Sequence, residues 1–436
     1  MKNTFVILLL VLFAQRIQAQ SLYFPPNTGL SWDTLSPASL GWCQPPLDSL
    51  LDYLEARETK AFLVLKDGKL VVEKYYGTFT RDSAWYWASA GKSLTSFLVG
   101  IAQQEGFLSI NDTTSRIIGS GWTSCSTAQE DRITVRDQLC MTSGLDDAVP
   151  DKDCTDPACL QYLADAGTRW AYHNAPYTLL DTVIESATGQ TLNSYLQQKV
   201  KSPTGMTGAF FKLGYNNVFF STARSMARYG LLILNNGNWN GNQVMSDTAY
   251  FNQMVNTSQS LNLSYGYLWW LNGKTSFMLP SSQFVFPGSL SPSAPADMFA
   301  ALGKNGQMLN IVPSQNLIWL RMGNEPNAGF VPNFFNDTIW QYLNQAMCNI
   351  TAIPSDGPTA FTPNVFPVPA SESLSIHWPG QFSVKAELMQ VDGRVLDEFV
   401  ISPGTTSRAV SSLPKGMYLM RFQLPDRTEV LKIMIE

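Results

Sequence analysis

Two hydrophobic periods alternate along this chain, and the switches between them mark its parts. PLDSLLDYLEA (residues 46–56) places apolar side chains every three to four positions, the period of a helix with one buried face. AFLVLKDGKLVVEKYYG (61–77) turns to two strand-like runs around Asp67-Gly68, a dipeptide suited to a tight hairpin turn. SLTSFLVGIAQQEG (93–106) then predicts a helix built for burial. TLLDTVIESATG (178–189) and STARSMARYGLLILNNG (221–237) predict amphipathic helices ended by glycine. SYGYLWWLNG (264–273), MFAALG (298–303), MLNIVP (308–313) and NLIWLRMGN (316–324) predict strands, and VPNFFNDTIWQYLNQAMC (331–348) a closing helix. Strands at both ends with helices between predict one antiparallel sheet uniting the ends of residues 22–350, flanked by helices, with the middle of the chain forming a helical lobe. This is an α/β (α+β) class.

The texture changes after Cys348. NITAIPSDGPTAFTP (349–363) is rich in Pro, Thr, Ser and Gly, and a linker is expected over 351–363. Residues 364–436 show only short alternating runs separated by turns: LSIHW, KAELMQV, Asp392-Gly393, RVLDEFV, MYLMRFQL and EVLKIMIE. A small all-β sandwich is expected there.

Composition narrows the function. Hydrophobic residues are 45% and charged residues 14% of 436, enough for a packed core and unlike a disordered chain. A net charge of −5 without a basic stripe argues against nucleic acid as a partner. Residues 1–19 carry Lys2, an apolar run from Thr4 to Phe13 and the small Ala19, the layout of a secretory signal peptide. In that oxidising setting the six cysteines, at 43, 125, 140, 154, 159 and 348, are expected to form disulfides. None has the paired spacing of a zinc site, and no metal or organic cofactor is expected. His173 and His377 are the only histidines, so a hydrolase on this chain is expected to use another base.

YWASAGKSL (86–94) offers one. Ser89 and Lys92 stand three apart and share a helix face. Burial lowers a lysine's pKa by disfavouring its charged form, and a neutral amine one turn from a hydroxyl can take its proton. The spacing alone is weak evidence, because Ser412 and Lys415 repeat it in the tail. AGKS also ends like a phosphate-binding loop, but Tyr86 occupies the position that needs glycine.

Three further stretches change the weight of Ser89-x-x-Lys92: Tyr172-His173-Asn174, the segment Gly303-Lys304-Asn305-Gly306-Gln307, and ITVRDQLCMTSGLDD (133–147). Together with STARSMARYG and YGYLWW, over about residues 40–348, their order and spacing resemble the serine β-lactamase and penicillin-binding-protein family. The resemblance is to the branch of class C β-lactamases, D-alanyl carboxypeptidases and secreted esterases. It implies a β-lactamase-like fold and a secreted serine hydrolase that cleaves a small-molecule or peptide ester or amide through an acyl-enzyme. By the same resemblance Ser89 is the nucleophile, Lys92 its base and Tyr172 the proton relay to the leaving group. Asn174, Lys304, Gly306 and Gln307 hold substrate, with the backbone N–H groups of Ser89 and Gln307 as oxyanion donors. Lys-Asn-Gly replaces the family's Lys-Thr-Gly, which weakens the case for a β-lactamase or D-alanyl-D-alanine peptidase proper. Lys274-Thr275-Ser276 is a decoy that lacks the closing glycine. A catalytically silent ligand-binding or sensor protein on this fold is the alternative. Trp85, Trp87, Trp269, Trp270 and Tyr177 are candidates for an aromatic cleft, and core packing accounts for them equally well. Helices packed as in the family would bring Cys43 to Cys348, with Cys154–Cys159 and Cys125–Cys140 as the remaining pairs.

The tail resembles a type IX secretion sorting domain through NVFPVPASESLSI, VDGRVL, LPKGMYLMRF and the terminal KIMIE, with Val368 where that family has asparagine. This resemblance implies outer-membrane secretion machinery as a partner and a secreted or cell-surface location.

Overall fold

The structure is a computed structural model that describes residues 22–325, 329, 331–348, 363–366, 368–378, 383–424 and 428–435. The expected signal peptide, and the expected linker apart from Pro363, lie outside the described residues. The chain forms two compact units that divide between residues 349 and 350.

In the first unit, α1 (Gln44–Ala56) leads into the hairpin β1 (Thr59–Lys66) and β2 (Lys69–Tyr75). Then come β3 (Ala84–Tyr86), α2 (Lys92–Gln104), α3 (Asn174–Thr188), β4 (Ala209–Leu213), β5 (Asn216–Thr222) and α4 (Ala223–Leu234). The last stretch carries β6 (Trp270–Leu271), β7 (Phe299–Gly303), β8 (Gln307–Val312), β9 (Leu317–Gly323) and α5 (Asn333–Ala346). An antiparallel sheet of order β2-β1-β9-β8-β7-β6 joins the two ends of the unit, with β1 paired to β9 from Lys66↔Leu317 to Thr59↔Gly323. The turn at Gly68 is obligatory. Its φ is +83°, and a Cβ there would sit 1.9 Å from the Tyr23 carbonyl oxygen.

Hydrophobic periodicity explains the layers. β1, β8 and β9 are buried on both faces, so they read as near-continuous apolar runs rather than alternating ones. α1 and α5 pack against each other, with Tyr53 stacked on Tyr342 at 4.8 Å, and Cys43 is disulfide-bonded to Cys348. α4 packs closely on the sheet at Gly230, where a Cβ would approach Leu309 to 3.0 Å. β3, β5 and β4 form a separate three-stranded sheet.

Cys154–Cys159 is also bonded, whereas the expected Cys125–Cys140 pair is not: both thiols are free. Cys140 is buried at the end of a short helix, Val135–Cys140, and Cys125 lies in a loop over the Leu160 carbonyl. Elimination by counting fails here because pairing requires the two thiols to meet, and Cys140 is buried at its helix end while Cys125 sits half-buried in a separate loop.

The second unit has two facing antiparallel sheets. One holds β10 (Asn364–Phe366), β11 (Ser373–Trp378) and β14 (Gly404–Ala409). The other holds β12 (Val384–Gln390), β13 (Val395–Ile401), β15 (Gly416–Gln423) and β16 (Thr428–Ile435). Leu374, Ile376 and Trp378 from the first sheet share one core with Ala386, Met420 and Ile433 from the second, the expected small sandwich.

Candidate active site

β3 delivers the chain to Ser89. Trp87 is wholly buried, its N–H donates to the Phe219 carbonyl of β5 at 2.8 Å, and its indole N–H donates to Ser221 Oγ at 2.8 Å. With Trp87 anchored, the next residue takes the strain: Ala88 has φ +47°, a left-handed conformation that costs a non-glycine residue on the order of 1–3 kcal/mol. A single 3-10 turn, Ala88–Gly91, then presents Ser89 ahead of α2. Across from it ends β7. A Cβ on Gly303 would lie 2.6 Å from Trp87 O and 3.0 Å from Ser89 N, so only glycine lets this strand end touch the serine backbone.

Lys92 points its ammonium group into this corner. Its Nζ is 2.8 Å from Ser89 Oγ and its side chain is almost completely buried. Burial lowers its pKa to about 7, against a partial opposing pull from Asp153 and Asp181, while Lys304 adds a further push downward. Near neutral pH a large share of Lys92 is therefore unprotonated and able to accept a proton. Its Nζ lies 4.1 Å from the Tyr177 ring centroid and 5.1 Å from that of Tyr172, so the charged form keeps some stabilisation from ring faces.

Tyr172 completes the group. Burial holds its pKa well above the ordinary tyrosine value, and the nearby Ser89 side chain pulls it partly back down. Its ring stacks on Trp270 at 5.8 Å. α3 starts directly behind it, and its face turned to Lys92 carries Asn174, Tyr177 and Asp181. Asn174 Nδ2 donates to Asp153 Oδ1 at 2.7 Å, while its Oδ1 is buried without a partner. Asp181 accepts from Asn217 Nδ2 at 2.9 Å and from Thr95 Oγ1 at 3.3 Å, and burial raises its pKa to about 7.

Ser89, Lys92 and Tyr172 thus converge, Asn174 stands at the start of α3 bonded to Asp153, and the third motif splits. Lys304 is exposed beside Gly303 at the mouth of the site. Gly306 and Gln307, expected on the substrate, face the interior instead. A Cβ on Gly306 would strike Arg321 Nη1 at 2.4 Å, and the wholly buried Gln307 side chain is held by Gly323, donating to its carbonyl at 2.7 Å and accepting from its N–H at 3.1 Å. Buried Arg321 ties the turn down from behind, donating to the carbonyls of Asn305 and Gly306 at 2.8 and 3.0 Å. Gln307 pairs with Gly303 across the β7–β8 hairpin, one strand further from the serine than the residue that touches it.

Of the aromatic candidates, Trp87, Trp269 and Trp270 are core residues, Tyr177 lies under Lys92, and Trp85 is half-buried. His173 is buried with neither ring nitrogen bonded, and burial drops its pKa to about 4. Asp181 was missed by sequence reasoning, Tyr177 was named only as an aromatic candidate, and Gly303 only as the residue that opens the Lys304 segment. Asn174, Tyr177 and Asp181 recur at helical spacing, so an aspartate on an otherwise apolar helix face was the available signal. Among the described residues no group of three or more His, Cys, Asp or Glu could hold a metal ion.

The beta-lactamase family model matches residues 47–333, and the secretion system C-terminal sorting domain model matches residues 364–436. This chain belongs to the beta-lactamase family. It is 25% identical over 300 residues to an uncharacterized protein of Alkalihalophilus pseudofirmus, covering 60% of this chain and 82% of the relative. Its fold is similar to that of a penicillin-binding protein homolog from Caulobacter crescentus (TM-score 0.54, 15% identity, 70% of this chain and 98% of the other). It is also similar to a family VIII carboxylesterase (TM-score 0.52, 14% identity, 70% of this chain and 99% of the other). The sorting domain makes the chain a secreted or cell-surface protein.

Proposed function

We propose that this beta-lactamase family member is a serine hydrolase that cleaves an ester or amide through an acyl-enzyme on Ser89. The observation that carries the reading is the 2.8 Å contact between Ser89 Oγ and a buried lysine with a pKa near 7. Neutral Lys92 takes the Ser89 proton as Oγ bonds to the substrate carbonyl carbon. The developing oxyanion is met by the Ser89 N–H and by the backbone N–H of Lys304, which follows directly on the strand end that touches Ser89, in place of Gln307. The bond to the leaving group breaks, and that group takes a proton relayed through the Tyr172 hydroxyl from Lys92. Water then attacks the acyl carbon, giving its proton back through the same pair, and the acid leaves. The unpartnered Asn174 Oδ1 supports a role in accepting a hydrogen bond from substrate or from protonated Lys92.

Likeness to the carboxylesterase favours an ester, and Lys-Asn-Gly removes the hydroxyl that a β-lactam or D-alanyl-D-alanine carboxylate would use. The test pairs a fluorophosphonate probe with a panel of short-chain esters, nitrocefin, D-Ala-D-Ala peptides and D-amino-acid amides. We expect an adduct on Ser89 and turnover of esters. A folded protein that gives neither adduct nor turnover would instead be a silent ligand-binding member of the family.

A further inference from the structure

The three-stranded sheet β3-β5-β4 departs from the usual alternation of apolar-in and polar-out. Its register aligns Tyr86, Phe220 and Ala209 across the strands, then Val218 with Phe211, and Asn216 with Leu213. The opposite face, with Phe210 and Phe219, is core. The face bearing Tyr86, Phe220, Val218, Phe211 and Leu213 is apolar although it is open. Phe211 is 54% and Leu213 53% exposed, and the other three are half-buried. The rings form a continuous path, with Phe211 edge-on to Phe220 at 5.6 Å and Phe220 to Tyr86 at 6.2 Å. From strand spacing and rise the face measures roughly 10 by 13 Å. A solvent-facing antiparallel surface would ordinarily carry polar side chains, so contiguous exposed apolar residues mark a binding surface.

Its position says for what. Tyr86 lies three residues before Ser89 on the same strand exit, and its hydroxyl accepts from Asn305 Nδ2 at 2.7 Å, just past the Gly303 end of β7. Tyr172 stacks on Trp270, which pairs with Ala300 near the other end of β7. The two ends of β7 therefore have different surroundings. If the leaving group departs on the side of the Tyr172 ring, whose hydroxyl relays its proton, the group that stays on Ser89 lies toward Tyr86.

We propose that the apolar face of β3-β5-β4 binds the acyl group of the substrate, and that the protein prefers esters of long-chain or aromatic carboxylic acids. This deepens the Ser89 reading and rests on it for the position of the acyl carbon.

The experiment compares full-length protein with the Phe211→Ser/Leu213→Ser variant on 4-nitrophenyl acetate, hexanoate and decanoate. Wild-type kcat/KM should rise by at least ~10-fold from acetate to decanoate, the scale expected for added methylenes in an apolar site. The variant should lose that gain and keep its rate on acetate. An unchanged chain-length profile overturns the proposal. So does the same gain and loss on decyl acetate, which would place the face on the leaving-group side, or a dimer that the variant turns into a monomer. Calorimetry of decanoate on Ser89→Ala, with and without the two surface changes, separates the failures. Binding that the double change abolishes, in a protein that cleaves no ester, upholds the face and sinks the Ser89 mechanism. Ester cleavage with a flat profile does the reverse.

Discussion

Ser89-x-x-Lys92 and Ser412-x-x-Lys415 have the same spacing in the same chain. In the first unit Lys92 is almost completely buried, 2.8 Å from its serine, with a pKa lowered to about 7. In the second unit Ser412 and Lys415 both lie exposed in a turn before β15. The difference teaches that the motif is only a spacing. Its chemistry comes from removing water from the amine, which depends on Tyr172, Tyr177 and the strand ends packed around it.

The largest expected effect breaks the comparison at the serines. Ser89→Ala should cost at least ~1,000-fold in turnover, whereas Ser412→Ala should leave turnover unchanged. Burst-phase hydrolysis with both variants checks this. Next come the lysines. Lys92→Arg should fold yet lose at least ~100-fold, because a guanidinium cannot release its proton near neutral pH. Lys415→Arg should match wild type, and near-normal turnover in folded Lys92→Arg would dissolve the pair. Adding Ser89→Ala to Lys92→Arg should cost little more, since groups that act as a unit are not additive.

The pH dependence sharpens the contrast further. If neutral Lys92 is the base, kcat/KM should fall as pH drops through about 7. Asp153→Asn removes the main charge that holds the proton on Lys92, and should move this acid limb to lower pH. The same burial sets a stability slope. The folded pKa lies below the ordinary 10.5, so between about 7 and 10.5 the unfolded chain binds more protons and stability rises with pH. Lys92→Met should flatten that rise and increase Tm by at least about 3 °C at pH 7 while abolishing turnover. Denaturation across pH would show a retained slope if Lys92 were not its source. The smallest effect is at Lys415, where alanine should stay within about 0.5 kcal/mol of wild type in chemical denaturation.

The sequence by itself determined many of the strands and helices, because hydrophobic period and turn residues are local, although the strand expected over 264–273 shrinks to Trp270–Leu271 and β3, β4 and β5 were not read. The Asp67-Gly68 hairpin, the helix over 46–56 and the alternating tail strands could all be read this way. It also singled out Ser89, Lys92 and Tyr172 as a set through their order and spacing, and the fold brings the three together. It could not determine which groups face one another across elements far apart in sequence. The third motif shows this: Lys304-Asn305-Gly306-Gln307 reads as one substrate-binding unit. In the fold, Lys304 follows the strand end that meets the serine, while Arg321 and Gly323 hold Gly306 and Gln307 inward. Asp181 reads as an ordinary helix residue, and Tyr177 as a cleft or core aromatic, until α3 packs against α2 and seals Lys92 from solvent. The free Cys125 and Cys140 follow the same rule, since pairing requires proximity that counting does not supply. Tertiary structure decided these points because desolvation and close approach are properties of packed surfaces, and no single stretch of chain carries both sides of a contact.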